Sequence, residues 1–215
     1  MKGQPSCPRC GQALHAPGLW SSAWQCDAHG EVCPLQPLHQ PSTEVLDAVV
    51  GRARVPVWLP WPLPHGWVVT GVAEAGDERT GGCAIAVACS GPNPLGGGGD
   101  LVLVAEEPGV GLGARYAGLP GPDPGGELGR GAPQAKLQVG GHDCPLWVVD
   151  GGEGRAAYAG EAMGQWLWAV LWPDSAAALL LEDLHLADLR DVRSEVPLVP
   201  LGALSPRLQV PPRRP

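Results

Sequence analysis

A chain of 215 residues, 44% of them hydrophobic, has the apolar content for one sizeable core, or for a small module beside a domain of about 150 residues, and is not disordered throughout. Its formal net charge of −8 argues against nucleic acid and anionic lipid as partners, and the first forty residues, with Lys2 and Arg9 against Asp27 and Glu31, carry no basic face of their own. Gly (32) and Pro (25) exceed a quarter of the chain, but nine Trp residues are interleaved with them, which reads as short strands joined by many turns.

Met1-Lys2 is followed by Gly, Gln, Pro and a Cys pair rather than by an apolar leader, and the longest apolar run, Trp166 to Trp172, falls short of the roughly 20 residues that span a bilayer. The expectation is a cytoplasmic protein without a membrane span. Seven cysteines are an awkward odd number for a disulfide scaffold, whereas in a reducing compartment a Cys-x-x-Cys pair is a metal or redox site.

Cys7-Pro-Arg-Cys10-Gly11 has the composition of a zinc knuckle: two thiolates three positions apart grip one ion, and the following glycine permits the tight turn. Cys26-Asp-Ala-His29-Gly30 repeats that spacing and that glycine, with His in place of the last Cys. The pattern Cys-x2-Cys-x15-Cys-x2-His supplies the four ligands that tetrahedral zinc needs. Cys33 and His15 lie near enough to compete for the fourth position, and knuckle symmetry favours His29. Four protein ligands leave no place for water, so Cys7, Cys10, Cys26 and His29 are expected to hold a structural Zn2+. Leu14, Leu19, Trp20 and Trp24 are placed to cover the small sheet between the knuckles.

Residues 34–41 form a proline-spaced connector. Ser42 then caps a short helix over Glu44 to Arg54, with Val45, Ala48 and Val49 on one face, and Pro56 ends it. Prolines hold Pro56 to Trp67 extended, and Trp58, Trp61 and Trp67 stand along it as apolar anchors. Strands are expected near Trp67–Ala75, Cys83–Cys89, Leu101–Ala105, Ala135–Val139, Pro145–Val149, Trp166–Trp172, Ala177–Leu181 and Leu184–Leu189. Residues 157–171 fit both periods, and are read as helix or turn up to Gly164 and strand thereafter, with a hairpin turn at Pro173-Asp174. Gly118–Gly131 is expected to be a flexible loop, and 209–215 a disordered tail.

Several attractive motifs fail. Gly109-Val-Gly-Leu-Gly-Ala114 misses a dinucleotide loop, with no convincing helix after it, and Gly96 to Asp100 lacks the Gly-Lys-Ser/Thr of a P-loop. Cys89-Ser90 has nothing that brings His142 or His185 to it, so Cys83, Cys89 and Cys144 read as buried hydrophobes. His185, Asp188, Arg190 and Asp191 alternate with leucines as a solvated strand face would. No spacing argues that Glu106, Glu107 and Glu161 line a cleft. More Trp is present than a core requires, so Trp58, Trp61 and Trp67 are candidates for a binding groove.

At Pro5-Ser-Cys-Pro-Arg-Cys-Gly11, Ala16 to Gly30, Trp58 to Pro64 and Gly202 to Leu208 the chain resembles a family of uncharacterised actinobacterial proteins, itself a domain of unknown function. The resemblance implies a cytoplasmic bacterial setting and the same ligand choice, and no reaction. The fold class expected is α+β, mainly β: a zinc ribbon over 1–40, a short linking helix over 41–56, and over 57–208 a mostly antiparallel sheet domain, curved or barrel-like. The function that follows is non-enzymatic: a binding or adaptor protein for a protein or small ligand. The alternatives are a carboxylate/His enzyme and, more weakly, a nucleic-acid-associated regulator.

Overall fold

The computed structural model describes residues 3–19, 21–126 and 128–209. Trp20 and most of the expected tail, 210–215, lie outside them. In chain order the elements are β1 (Gln25–Cys26), β2 (Gly30–Glu31), α1 (Thr43–Arg52), β3 (Trp58–Pro60), β4 (Val68–Asp77), β5 (Gly81–Pro92), β6 (Gly98–Glu106), α2 (Leu112–Ala117), β7 (Ala135–Val139), β8 (His142–Val149), β9 (Ala156–Ala162), β10 (Gln165–Trp172) and β11 (His185–Asp188), with 3-10 turns over Asp174–Leu181, Arg193–Leu198 and Pro206–Leu208.

Nine strands form one curled sheet in the order β3-β11-β7-β8-β9-β10-β6-β5-β4, antiparallel except where β11 runs parallel to β7. Both faces are covered, which is why the central strands read as continuous apolar runs. On β10, Leu167, Ala169 and Leu171 join one core with Ile85 and Val87 of β5, while Trp168 and Val170 join the other with Ala84 and Ala86. The mainly β, antiparallel expectation holds.

Four local expectations change. Ala177–Leu181 is not a strand but the end of a 3-10 turn that buries Ala176, Leu179 and Leu180. Alanine and leucine lack the β-branching that favours a pleated surface, and this spacing puts one helical side inward. Residues 156–162 are strand rather than helix or turn, because Met163 (φ 56°) and Gly164 (φ 75°) make a two-residue turn whose twist suits a hairpin between β9 and β10. A short helix does follow the Gly109–Ala114 segment: α2 is capped at both ends by glycines in the left-handed region, Gly111 and Gly118. In α1 Ser42 Oγ accepts from the Val45 amide as expected, but the buried face is Leu46, Val49 and Val50, with Val45 half-buried and Ala48 exposed.

Asp188 is also misplaced on a solvated face. It is 6% exposed and accepts from the Val57 and Arg190 amides and from the Arg190 guanidinium, at distances of 2.6–3.1 Å. It thereby ties β11 to the approach of β3. Replacing Asp188 by alanine orphans these donors, one of them buried, and is expected to lower stability by about 2 kcal/mol in urea unfolding. An unchanged midpoint would contradict that role.

Candidate metal centre and adjoining cleft

Two tight loops build the site. In the first, the Gly11 amide donates to the Cys7 carbonyl (2.8 Å), and in the second the His29 amide donates to the Cys26 carbonyl (3.2 Å). Gly11 and Gly30, each just after the second ligand of its loop, adopt φ of 76° and 69°. Only glycine takes that conformation without strain, so the two-fold Cys/His-Gly pattern follows from backbone geometry.

The loops face each other and bring Cys7, Cys10, Cys26 and His29 together, with every candidate ligand atom within 4.8 Å of the others. His29 Nδ1 lies 3.6 Å from Cys7 Sγ and 3.5 Å from Cys26 Sγ, and Cys10 and Cys26 sulfurs are 3.7 Å apart. Around one tetrahedral ion with metal–sulfur bonds of about 2.3 Å and metal–nitrogen bonds of about 2.05 Å, the edges come to about 3.8 Å (S···S) and 3.6 Å (S···N). These three separations are those of a tetrahedral site's edges, and the three cysteines are buried.

Electrostatics point the same way. Burial is the largest influence on Cys7 and Cys26 and raises both. At Cys7 it prevails and pushes the thiol up to about 12, despite amide hydrogen bonds from Cys10 and Arg9. At Cys26 the Ala28 and His29 amides and the neighbouring thiols outweigh it, and the thiol falls below its ordinary value. Thiolates so close repel one another, and a cation among them removes the conflict.

The competitors sit elsewhere. Cys33 is beside Cys83, whose side-chain hydrogen bond, together with burial, raises the Cys33 thiol. His15 is exposed and pairs with Asp27 at 3.0 Å. Among the expected covering residues, Leu14 packs on the ligands and Val32, but Leu19 is 98% exposed.

The indole groove is corrected. Trp58 (3% exposed) and Trp67 (4%) lie inside the sheet's core, and Trp61 packs against it half-buried, because the proline-held segment joins the sheet as its outer strand β3 beside β11 instead of standing off it. Trp24 is half-buried, more exposed than Trp58 and Trp67. It leaves its own module to donate from Nε1 to Asp77 Oδ2 (3.0 Å) at the end of β4. Arg9 likewise donates to the carbonyls of Gly109 and Val110 in the loop after β6, and Arg115 Nη1 to that of Cys7 (3.3 Å), so these polar contacts, with Cys33 packed on the sheet's second core, dock the Cys/His module.

Along this seam opens a cleft of about 620 Å3, between Trp24, the connector at Gln36–Pro37 and His39, α1 (Glu44, Val45, Ala48, Val49, Arg52) and the β4 side (Val72, Glu74, Gly76, Asp77, Glu78). Arg52 clasps Glu74 from Nε (3.3 Å) and Nη2 (2.6 Å). Burial raises Asp77, but hydrogen bonds from Thr80 and Trp24 outweigh it and hold the carboxyl below its ordinary range. Sequence reasoning missed this place because its walls are remote in the chain.

The residues considered for catalysis do not converge. Glu106 is fully buried under α2, accepting from the Leu112 (2.7 Å) and Gly113 (3.2 Å) amides; Glu107 pairs with Arg54 (3.2 Å); Glu161 and His185 are exposed. Cys83, Cys89 and Cys144 are buried. No helix among the described residues is long and apolar enough to cross a membrane.

Fold and site together define a mainly β protein, a curled antiparallel sheet with a Cys3His candidate metal centre docked on it. The chain belongs to a family of unknown function (DUF6758), whose model matches residues 1–208. No curated protein and no solved structure matches it.

Proposed function

We propose that this is a non-enzymatic binding or adaptor protein, in which Cys7, Cys10, Cys26 and His29 hold one structural Zn2+ in a ribbon over residues 1–40 and the ribbon stiffens one wall of the cleft where a partner seats. The observation that supports the reading is the convergence of four donors, whose three shortest separations, 3.5–3.7 Å, are those of the edges of a tetrahedral zinc site. Three sulfurs and one nitrogen are a donor set that suits zinc. They close its coordination sphere, so the ion orders the chain and offers no position to a substrate. A reducing, cytoplasmic setting fits thiols that must stay free to bind metal.

The cleft supports the binding half of the reading. It is bounded by Trp24 from the ribbon on one side and by α1 and β4 on the other, so the ion and the docking place share a wall. The test has two parts. Elemental analysis should find one zinc per chain, and capture of partners from native lysate by the zinc-loaded protein should be lost on Trp24→Ala. A metal-free purified protein would refute the first half; capture indifferent to Trp24→Ala would refute the second.

A further inference from the structure

We infer that the cleft receives an extended segment of a partner protein and reads an arginine in it. This rests on the proposed binding function and names the chemistry of the occupant. Three features of the cleft converge on it.

The first is charge. Four carboxylates line the cleft (Glu44, Glu74, Asp77, Glu78) against one guanidinium, that of Arg52. Glu74 is taken by Arg52, and both oxygens of Asp77 are occupied, Oδ2 by Trp24 and Oδ1 by Thr80 and the Arg79 amide. Glu44, on α1, and Glu78, beyond the end of β4, are exposed and stand in no ion pair among the described residues. Glu44 accepts from its own amide and from the Ser42 side chain, but no cation is paired with it; a guanidinium entering between the two meets carboxylates whose charge the fold leaves unpaired, and the indole of Trp24 adds attraction for a planar cation.

The second is the apolar floor. Val45, Val49, Val72 and Pro37 lie among these charges. A guanidinium on an alkyl stem, unlike a small inorganic cation, uses both kinds of wall.

The third is the backbone. β4 is an outer strand of the sheet. Toward its end the connector covers it, with the Gln36 amide donating to Glu74 O and the Gly76 amide to Pro34 O, both at 2.8 Å. Toward its start the chain after Pro200 covers it, through Val69 and Pro200 and through Gly202 and Val69. Between them Val72 follows the same alternation as Glu74 and Gly76, so its N–H and C=O face outward. They pair with no described residue, and Val72 lines the cleft. An extended peptide pairs there as an added strand end, which a free amine or guanidine does not do.

The experiment uses the full-length zinc-loaded protein and two capped pentapeptides, one with a central arginine flanked by leucines and its citrulline counterpart, which keeps shape and removes charge. Calorimetry at low salt should show one-to-one binding of the arginine peptide, and at least about fivefold weaker binding of the citrulline peptide. The double variant Glu44→Gln, Glu78→Gln, checked for an unchanged melting temperature, should abolish that preference while leaving citrulline affinity unaltered. Equal affinity for both peptides, no saturable binding of either, or a double variant that keeps the preference would overturn the inference. Partner capture that still depends on Trp24 would, in any of those cases, leave the binding function standing and reject the arginine chemistry alone.

Discussion

Replacing Cys10 by serine is expected to strip the purified protein of the proposed zinc and to unfold the N-terminal module while the nine-stranded sheet stays folded. The module's core is little more than its ligands: Cys7, Cys10, Cys26 and Val32, with Leu14 against them. Its regular structure is a pair of two-residue strands. So small a core does not offset the entropy of ordering some thirty residues, whereas structural zinc contributes on the order of 10 kcal/mol in peptides of this kind. The remaining thiols and imidazole cannot complete a tetrahedron, and the oxygen of serine is a poor substitute for a thiolate. Hydrogen exchange should therefore show amides of residues 3–33 losing protection in Cys10→Ser or after chelation, with those of β5, β6 and β10 retained. The damage stops at the seam because the ligand cluster of Cys7, Cys10, Cys26 and Val32 is separate from the sheet's two cores, which the module reaches through hydrogen bonds from Arg9, Arg115 and Trp24 and through Cys33 at its end. Full metal content in the variant, or equal loss of protection in sheet and module, would contradict this account.

That the metal centre was legible and the cleft was not follows from the range of the interactions that make each. A knuckle is written within five residues, because its ligands and its left-handed glycine are neighbours in the chain. Most strands were legible for a similar reason: glycines and prolines near Gly76-Asp77 and Gly91 to Pro94 bound runs such as Cys83–Cys89, although β4 and β5 run on to Asp77 and Pro92 before the chain turns, and local propensity agrees with the final sheet. Strand order, in contrast, is decided by pairings such as β10 with β6, far apart in sequence. The Met163-Gly164 turn hid β9 because a non-glycine residue at positive φ is rare, and nothing in the sequence marks Met163 for it. Asp188 reads as a solvated carboxylate until Val57 and Arg190 are seen around it. α2 was missed through Gly113, a poor helix residue. It is there because the Trp168 ring packs so closely that a Cβ would come within 2.2 Å of it.

Glu106, also passed over in sequence, should give the fold a distinctive dependence on pH. Its carboxyl is enclosed beneath α2. Burial, the dominant influence, pushes it from an ordinary value of 4.5 to about 8, against the opposing effect of the Gly113 and Leu112 amides and the Trp168 indole. In the unfolded chain the group loses its proton near the ordinary value, whereas in the folded protein it keeps the proton until about pH 8. Folding between those limits takes up a proton, so stability declines as pH rises through the window, by at most about 1.4 kcal/mol per pH unit, and levels off above it. This is opposite to the carboxylates held below their ordinary range, such as Asp77, whose contribution is lost only in acid. It is also opposite to what the proposed zinc would contribute, since protons compete with a metal for thiolates and such stability grows with pH. Comparison with Glu106→Gln separates these effects, since the variant keeps the metal site and the carbonyl that accepts from Leu112 and Gly113. Its amide NH2 replaces Oε1, which is buried without a hydrogen-bond partner in the wild type as well, so the two proteins should be about equally stable at pH 6. By pH 9 the wild type carries an enclosed carboxylate and should be the less stable of the two. Urea unfolding of both proteins at the two pH values, with zinc present throughout, measures the difference directly; parallel profiles would mean that Glu106 does not hold its proton in the folded state.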